Sequence, residues 1–265
     1  MKNIILQFKK KYESKVPISV ITCYDYSFAR LFAQTEVDSI LIGDSMGNVI
    51  QGHGSTIPVT VEDIIYHTKA VCKGAPEKTV IADMPFLSYQ TSIEEGIRNA
   101  GRIMKETTAD CVKLEGDSDL VIELTRRLTE MGVPVFSHLG LTPQSVHTLG
   151  GHRVQGKTEE SRLRMIQKAK ALAEAGAFAI VLEMIPESLG QEITETAGIP
   201  TIGIGAGRMT SGQVLVMQDL LGMNESFKPK FLKKYVDLST VIRDSVNLYH
   251  EEVVKNIFPG EGNVF

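Results

Sequence analysis

The chain has no tryptophan, and aromatic residues make up only 6% of its 265 positions. No basic block interleaved with aromatic rings occurs, and 28 basic residues face 32 acidic ones for a net charge of −4. A nucleic-acid surface is therefore not expected. Cysteine is scarce. Cys23, Cys72 and Cys111 are odd in number and lack C-x-x-C spacing, so structural thiols in a reducing cytoplasm are expected. No run approaches the ~18 apolar residues of a membrane span. The N-terminal MKNIILQFKKKYESK sets a short apolar patch before a basic run, without the apolar core and cleavage site of a secretory signal. His147 and His152 do not fit H-E-x-x-H spacing, and no zinc signature appears. Internal repeats, low-complexity tracts and linkers are absent as well.

What remains is an ordinary globular composition, 43% hydrophobic and 23% charged. Strand-like and helix-like segments alternate along it. Strands are predicted at Ile18–Thr22, Ser39–Gly43, Thr79–Ala82, Asp110–Glu115, Val133–Leu139, Phe178–Leu182, Pro200–Ile204 and Val214–Met217. Helices are predicted at Tyr26–Gln34, Val61–Cys72, Thr158–Ala175 and Leu238–Lys255, with another starting at Ser92 and Glu95 completing its capping box. Met46–Pro58 and Gly140–Lys157 read as long loops, which in compact domains carry function or act as lids. Alternation of this kind calls for a parallel sheet with helical crossovers. Eight units, at a length close to the ~250 residues typical of the fold, favour a (β/α)8 TIM barrel. A single α/β domain over residues 1–265 is expected, with helical additions at both ends. A doubly wound open sheet is the competing arrangement.

Six of the apolar runs end on a residue able to do chemistry, and a barrel gathers such strand ends onto one face. Asp44, Asp83 and Glu115 each close one. A single acid there is an ordinary cap. Three converging would repel one another and be costly to desolvate, a problem that a hard divalent cation such as Mg2+ or Mn2+ removes. Lys113 stands two residues before Glu115, on the same face of its strand, placed for an ion pair or for an anionic substrate oxygen. His138 ends the fifth strand, where a structural hydrogen bond is the plain reading. Glu183 follows AIVL, an apolar setting that suits a general base, with a helix-start cap as its plain alternative. The glycines of Gly203-Ile204-Gly205-Ala206-Gly207 fit a tight turn better than a phosphate cradle, since no G-x-G-x-x-G spacing occurs. The segment Lys228–Lys234 and the last helix either cover the barrel end or meet another subunit.

The stretches ITCYDYSFA, LIGDSMGNV, STIPVTVEDIIYHTKAV, VIADMPFLSY, CVKLEGD, SHLGLTPQSV, AFAIVLEMIP, IPTIGIGAG and GQVLVMQDLLG span nearly the whole chain. In them the sequence resembles the ketopantoate hydroxymethyltransferase family. The resemblance implies a (β/α)8 barrel that uses Mg2+ and 5,10-methylenetetrahydrofolate to convert 3-methyl-2-oxobutanoate to 2-dehydropantoate, in a cytoplasmic homo-oligomer, a homodecamer in that family. It further implies metal ligation by Asp44, Asp83 and Glu115, substrate contacts from Asp44, Ser45, Asp83 and Lys113, and proton acceptance by Glu183. His138 matches a histidine near the site. Two loops depart from the family: GAGRMTSGQ lacks the usual Pro-Gly-Cys-Asp, and GGHRVQG has His-Arg for the usual Phe-Lys or Tyr-Lys. Both bear on folate contacts and neither on a ligand. The nearest rival is the phosphoenolpyruvate mutase and isocitrate lyase group, whose lyase branch carries a Lys-Arg-Cys-Gly or Lys-Lys-Cys-Gly signature absent here. A non-catalytic barrel that binds an anion is the rival from another class.

Overall fold

Runs rich in Val and Ile, bounded by turn residues, form eight short strands: β1 Ile18–Thr22, β2 Ser39–Ile42, β3 Thr79–Asp83, β4 Cys111–Glu115, β5 Val135–Gly140, β6 Ala179–Glu183, β7 Thr201–Ile204 and β8 Gly212–Leu215. In the computed structural model, which describes residues 2–146, 150–151 and 153–265, every neighbouring pair is parallel and β8 returns to β1, so the sheet closes into a barrel. His147 and His152 lie outside the described residues. Closure satisfies backbone groups that an open sheet would leave at its edges, and the competing open sheet is thereby excluded.

Ahead of and between the strands run α1 Ile4–Glu13, α2 Tyr26–Phe32, α3 Met46–Val49, α4 Val61–Gly74, α5 Ile93–Glu106, α6 Asp119–Glu130, α7 Glu159–Glu174 and α8 Glu187–Thr196. Their starts are fixed by side-chain caps. Asp25 accepts from Phe28 N, Thr60 and Asp63 form a reciprocal box, and Thr158 accepts from Ser161 N. At α5 the Ser92 cap is present, but Glu95 does not close a box on it; its carboxylate takes the Thr91 hydroxyl instead. The stretch after β2 is not wholly loop, since it opens with α3. The eighth strand lies two residues earlier than predicted, because Met217 starts a helical turn and Gly212 is needed opposite Ile18. A Cβ at 212 would stand 2.2 Å from the Ile18 carbonyl oxygen.

Strand alternation explains what fills the barrel and what crowns it. Val20, Leu41, Ile81, Cys111, Phe136, Val181, Ile202 and Val214 belong to one buried apolar cluster. Below them α1 sets Phe8 edge-on against Phe136 and Phe178, with ring centroids 6.0 and 5.5 Å away, while those two rings stack on each other. Lys11 of α1 pairs with Asp38 at 2.6 Å, and Asp38 also accepts from Ser19 N. Two residues further along the strands, on the same face, stand Asp83, Lys113, His138 and Glu183, with Glu115 one step beyond Lys113.

By contact the chain forms two compact units, Met1–Val216 and Met217–Phe265. The first contains the barrel. The second contains α9 Met217–Leu220 and α10 Leu238–Val254, the latter capped by Asp237 accepting from Thr240 N. Among the described residues no helix is long and apolar enough to cross a membrane.

Candidate metal and substrate site

The register of the sheet builds the site. Asp83 pairs with Lys113 across β3 and β4, Glu115 with His138 across β4 and β5, and Gly140 with Glu183 across β5 and β6. Neighbours in parallel strands point the same way, so an acid, a base and a second acid line one wall. Asp44 stands two residues past the end of β2, and its N–H donates to Asp83 Oδ2 at 2.9 Å. One ligating oxygen from each of Asp44, Asp83 and Glu115 lies within 4.8 Å of the others, and all three residues are buried.

Lys113 Nζ stands 2.7 Å from Asp83 Oδ1 and 3.2 Å from Glu115 Oε1. Burial alone would strip its proton, but Asp83, Glu115 and Asp44 together outweigh burial and hold the ammonium charged. Glu115 Oε1 also meets His138 Nδ1 at 3.2 Å. Burial works against ionised Glu115, yet Lys113 and then His138 overrule it and keep its carboxyl down at about 2. His138 in turn is raised to about 9, because Glu115 outweighs the burial that disfavours its charge. Asp44 fares differently. Burial and the charges of Glu115 and Asp83 push its carboxyl well above the ordinary range, and Lys113 offsets only part of this. Asp83 is also raised, chiefly by burial. The cluster therefore holds more carboxylate than its cations balance, and the deficit falls on Asp44.

Glu183 is the least buried of these acids, with 18% of its side chain exposed, and its Oε2 lies 3.3 Å from His138 Nε2 without hydrogen-bond alignment. Met184, the next residue, takes a left-handed φ of 49°, a strained turn that sets the direction of the chain just after Glu183. Ser45 is half-buried at the start of α3, and its hydroxyl shares a 2.8 Å hydrogen bond with the Tyr24 hydroxyl. Burial, with smaller additions from Asp83 and Asp44, raises the Tyr24 phenol, so that hydroxyl stays protonated beside the acids. Gly205 and Gly207 both take positive φ, and a Cβ at 207 would overlap Glu187, in keeping with the tight-turn reading. Cys23, Cys72 and Cys111 are free and buried.

All seven residues singled out from the sequence lie on β3 to β6 or within three residues of the end of β2. The sequence reading missed three others. Tyr24 lies between β1 and α2 and carries no chemical pattern of its own in the sequence. Tyr89 lies in the loop after β3, and its hydroxyl accepts from Glu115 N at 3.1 Å. Gln144 sits in a short 3-10 turn, Pro143–Ser145, for which Thr142-Pro143 was an available turn signal.

The family model described as ketopantoate hydroxymethyltransferase matches residues 2–261. A protein of Leptospira biflexa serovar Patoc named 3-methyl-2-oxobutanoate hydroxymethyltransferase is 71% identical over all of this chain and 99% of its own length. A protein of the same name from Leptospira interrogans is 56% identical over the whole of both. Among solved structures, a 2,3-dimethylmalate lyase of the PEP mutase/isocitrate lyase superfamily superposes with a TM-score of 0.61. It is 15% identical and covers 98% of this chain and 90% of that one. At that identity the likeness concerns the fold alone.

Proposed function

The chain belongs to the ketopantoate hydroxymethyltransferase family, and from that premise we propose that it transfers a hydroxymethyl group from 5,10-methylenetetrahydrofolate to 3-methyl-2-oxobutanoate, giving 2-dehydropantoate, with Mg2+ as cofactor. The observation that carries the reading is the convergence of Asp44, Asp83 and Glu115 within 4.8 Å beside Lys113.

The residues fit a hard divalent cation. The donor set is all oxygen. Asp83 Oδ1 is buried and meets Lys113 as a charge rather than through an aligned hydrogen bond, and Asp44 carries an unbalanced buried carboxyl. Asp44 and Asp83 would hold Mg2+ directly, with Glu115 direct or through water. The ion supplies a Lewis acid that polarises the ketone of the oxo acid and steadies the negative charge left when C3 loses its proton.

The protein's own side chains do the rest. Lys113 and Ser45 orient the substrate carboxylate. Glu183 takes the C3 proton, and His138 Nε2 beside it positions that carboxylate. Water adds to the methylene carbon of the folate in its opened iminium form, the C–N bond breaks to release tetrahydrofolate and formaldehyde, and the nucleophilic C3 bonds to that carbon while its oxygen takes a proton and becomes the new hydroxyl. The same reading makes the protein a cytoplasmic, homo-oligomeric enzyme of small molecules, with neither nucleic acid nor membrane as partner.

The test is deuterium exchange at C3 of 3-methyl-2-oxobutanoate, followed by NMR with and without chelator. Exchange that needs metal and no folate is expected, and product is expected once folate is added. A non-catalytic barrel gives no exchange, and a lyase gives no 2-dehydropantoate. Asp83→Ala and Glu183→Ala should each slow turnover at least about a hundredfold. Near wild-type exchange by purified Glu183→Ala would remove it from the role of base.

A further inference from the structure

Two of the three acids in the cluster are tied together by a residue on neither of their strands. Gln144 is buried, and every polar group of its side chain is engaged. Its amide nitrogen donates to Asp44 Oδ2 at 3.1 Å and to the Met84 carbonyl oxygen at 2.9 Å. A carbonyl oxygen can only accept, so Met84 fixes which end of the amide is nitrogen. The amide oxygen accepts from Gln90 Nε2 at 2.9 Å and faces the Tyr89 hydroxyl at the same distance. Tyr89 has one proton to give, and the Glu115 carbonyl oxygen at 3.0 Å competes for it. The backbone N–H of Gln144 donates to Glu115 Oε2 at 3.2 Å. One residue thus holds an oxygen of Asp44 and an oxygen of Glu115, while Tyr89 clasps the backbone of Glu115.

This arrangement has a physical purpose. Asp44 is the acid whose charge the nearby cations balance least, and three like charges tend to turn away from one another. A neutral amide can hold Asp44 inward without neutralising it, which a lysine in its place would do. Neutral donors that orient a ligand in this way raise metal affinity because less reordering remains at binding.

We propose that Gln144 is a positioning residue that, locked by Tyr89, Gln90 and Met84, holds Asp44 and Glu115 in ligating geometry for a divalent cation. This rests on the metal-site reading given above. The test is titration of the purified full chain with Mn2+, following the free-ion electron paramagnetic resonance signal. Gln144→Met keeps the length and removes both the donors and the acceptor of the side chain. It should weaken Mn2+ binding about tenfold, the lower end of the usual effect of losing a ligand's supporting hydrogen bond. C3 exchange at saturating Mg2+ should return to within about threefold of wild type, a recovery that a merely structural defect would not show. Should Gln144→Met fail to fold, Tyr89→Phe keeps the buried ring and removes only the hydroxyl; about threefold weaker Mn2+ binding is then expected. Wild-type Mn2+ affinity in whichever variant folds, or lost exchange that added metal does not restore, overturns the proposal. If the wild-type chain itself binds no Mn2+, the metal-site reading falls, and this inference with it.

Discussion

Asp44, proposed as a metal ligand, shows how a side chain suited to that role burdens the fold. Its carboxyl is buried among Glu115 and Asp83, with one amide donor from Gln144. Buried charge without a full counter-charge destabilises a fold. Asn has the same shape and can still accept from Gln144. In chelator, Asp44→Asn is therefore expected to melt at or above the wild-type temperature, and added Mg2+, which should raise wild-type Tm, is expected to leave the variant unmoved. Differential scanning fluorimetry with EDTA and then with excess Mg2+ checks both. A variant less stable than wild type in EDTA would mean that the carboxyl is already compensated in the metal-free protein. At this scale the sequence was informative because Asp44, Asp83, Lys113, Glu115, His138 and Glu183 each follow or end an apolar run whose period of two fixes their face. Gln144 and Tyr89 carry no such signature. They reach the acids from turns, and only the folded chain brings Gln144 to Asp44, 100 positions away.

Among the elements, the end of β5 sets the position of the proposed base. Gly140 pairs with Glu183, takes a φ of 97°, and lies so close that a Cβ there would stand 2.1 Å from the Glu183 carbonyl oxygen. That oxygen also accepts from Leu141 N at 2.9 Å. Gly140→Ala must both enter a left-handed conformation, at roughly 1–3 kcal/mol, and push β5 from β6. A chain of this size loses about 2–4 °C of Tm per kcal/mol, so a fall of at least about 4 °C is expected, together with slower C3 exchange as His138 and Glu183 separate. Unchanged Tm and unchanged exchange would show that the backbone there relaxes freely. Helix starts and most strand cores were legible, because caps such as Thr60 and Thr158 and runs such as AIVL act locally. The eighth strand was displaced because its true start is Gly212, chosen for a close backbone approach that no hydropathy pattern records.

At the scale of the whole molecule, the question is what covers α10. This helix of 17 residues has no buried residue. Ile242, Val246, Tyr249 and Val253 recur at helical spacing along one face, and Val246, Tyr249 and Val254 are 59%, 56% and 65% exposed. Helices owe most of their stability to packing of such a face, and a long apolar stripe in water marks a surface of association. The helix is not long and apolar enough to cross a membrane. Association with further copies of the chain, as proposed above, would cover the stripe. Sedimentation equilibrium at micromolar concentration should therefore return a multiple of 29.1 kDa, and calorimetry a single transition, because a helix that buries nothing within its own chain has little to keep it folded alone. The double variant Val246→Glu, Tyr249→Glu places charge in the stripe and should reduce both the mass and the melting temperature. A wild-type mass of one chain, with α10 still helical by circular dichroism, would show that this face needs no partner.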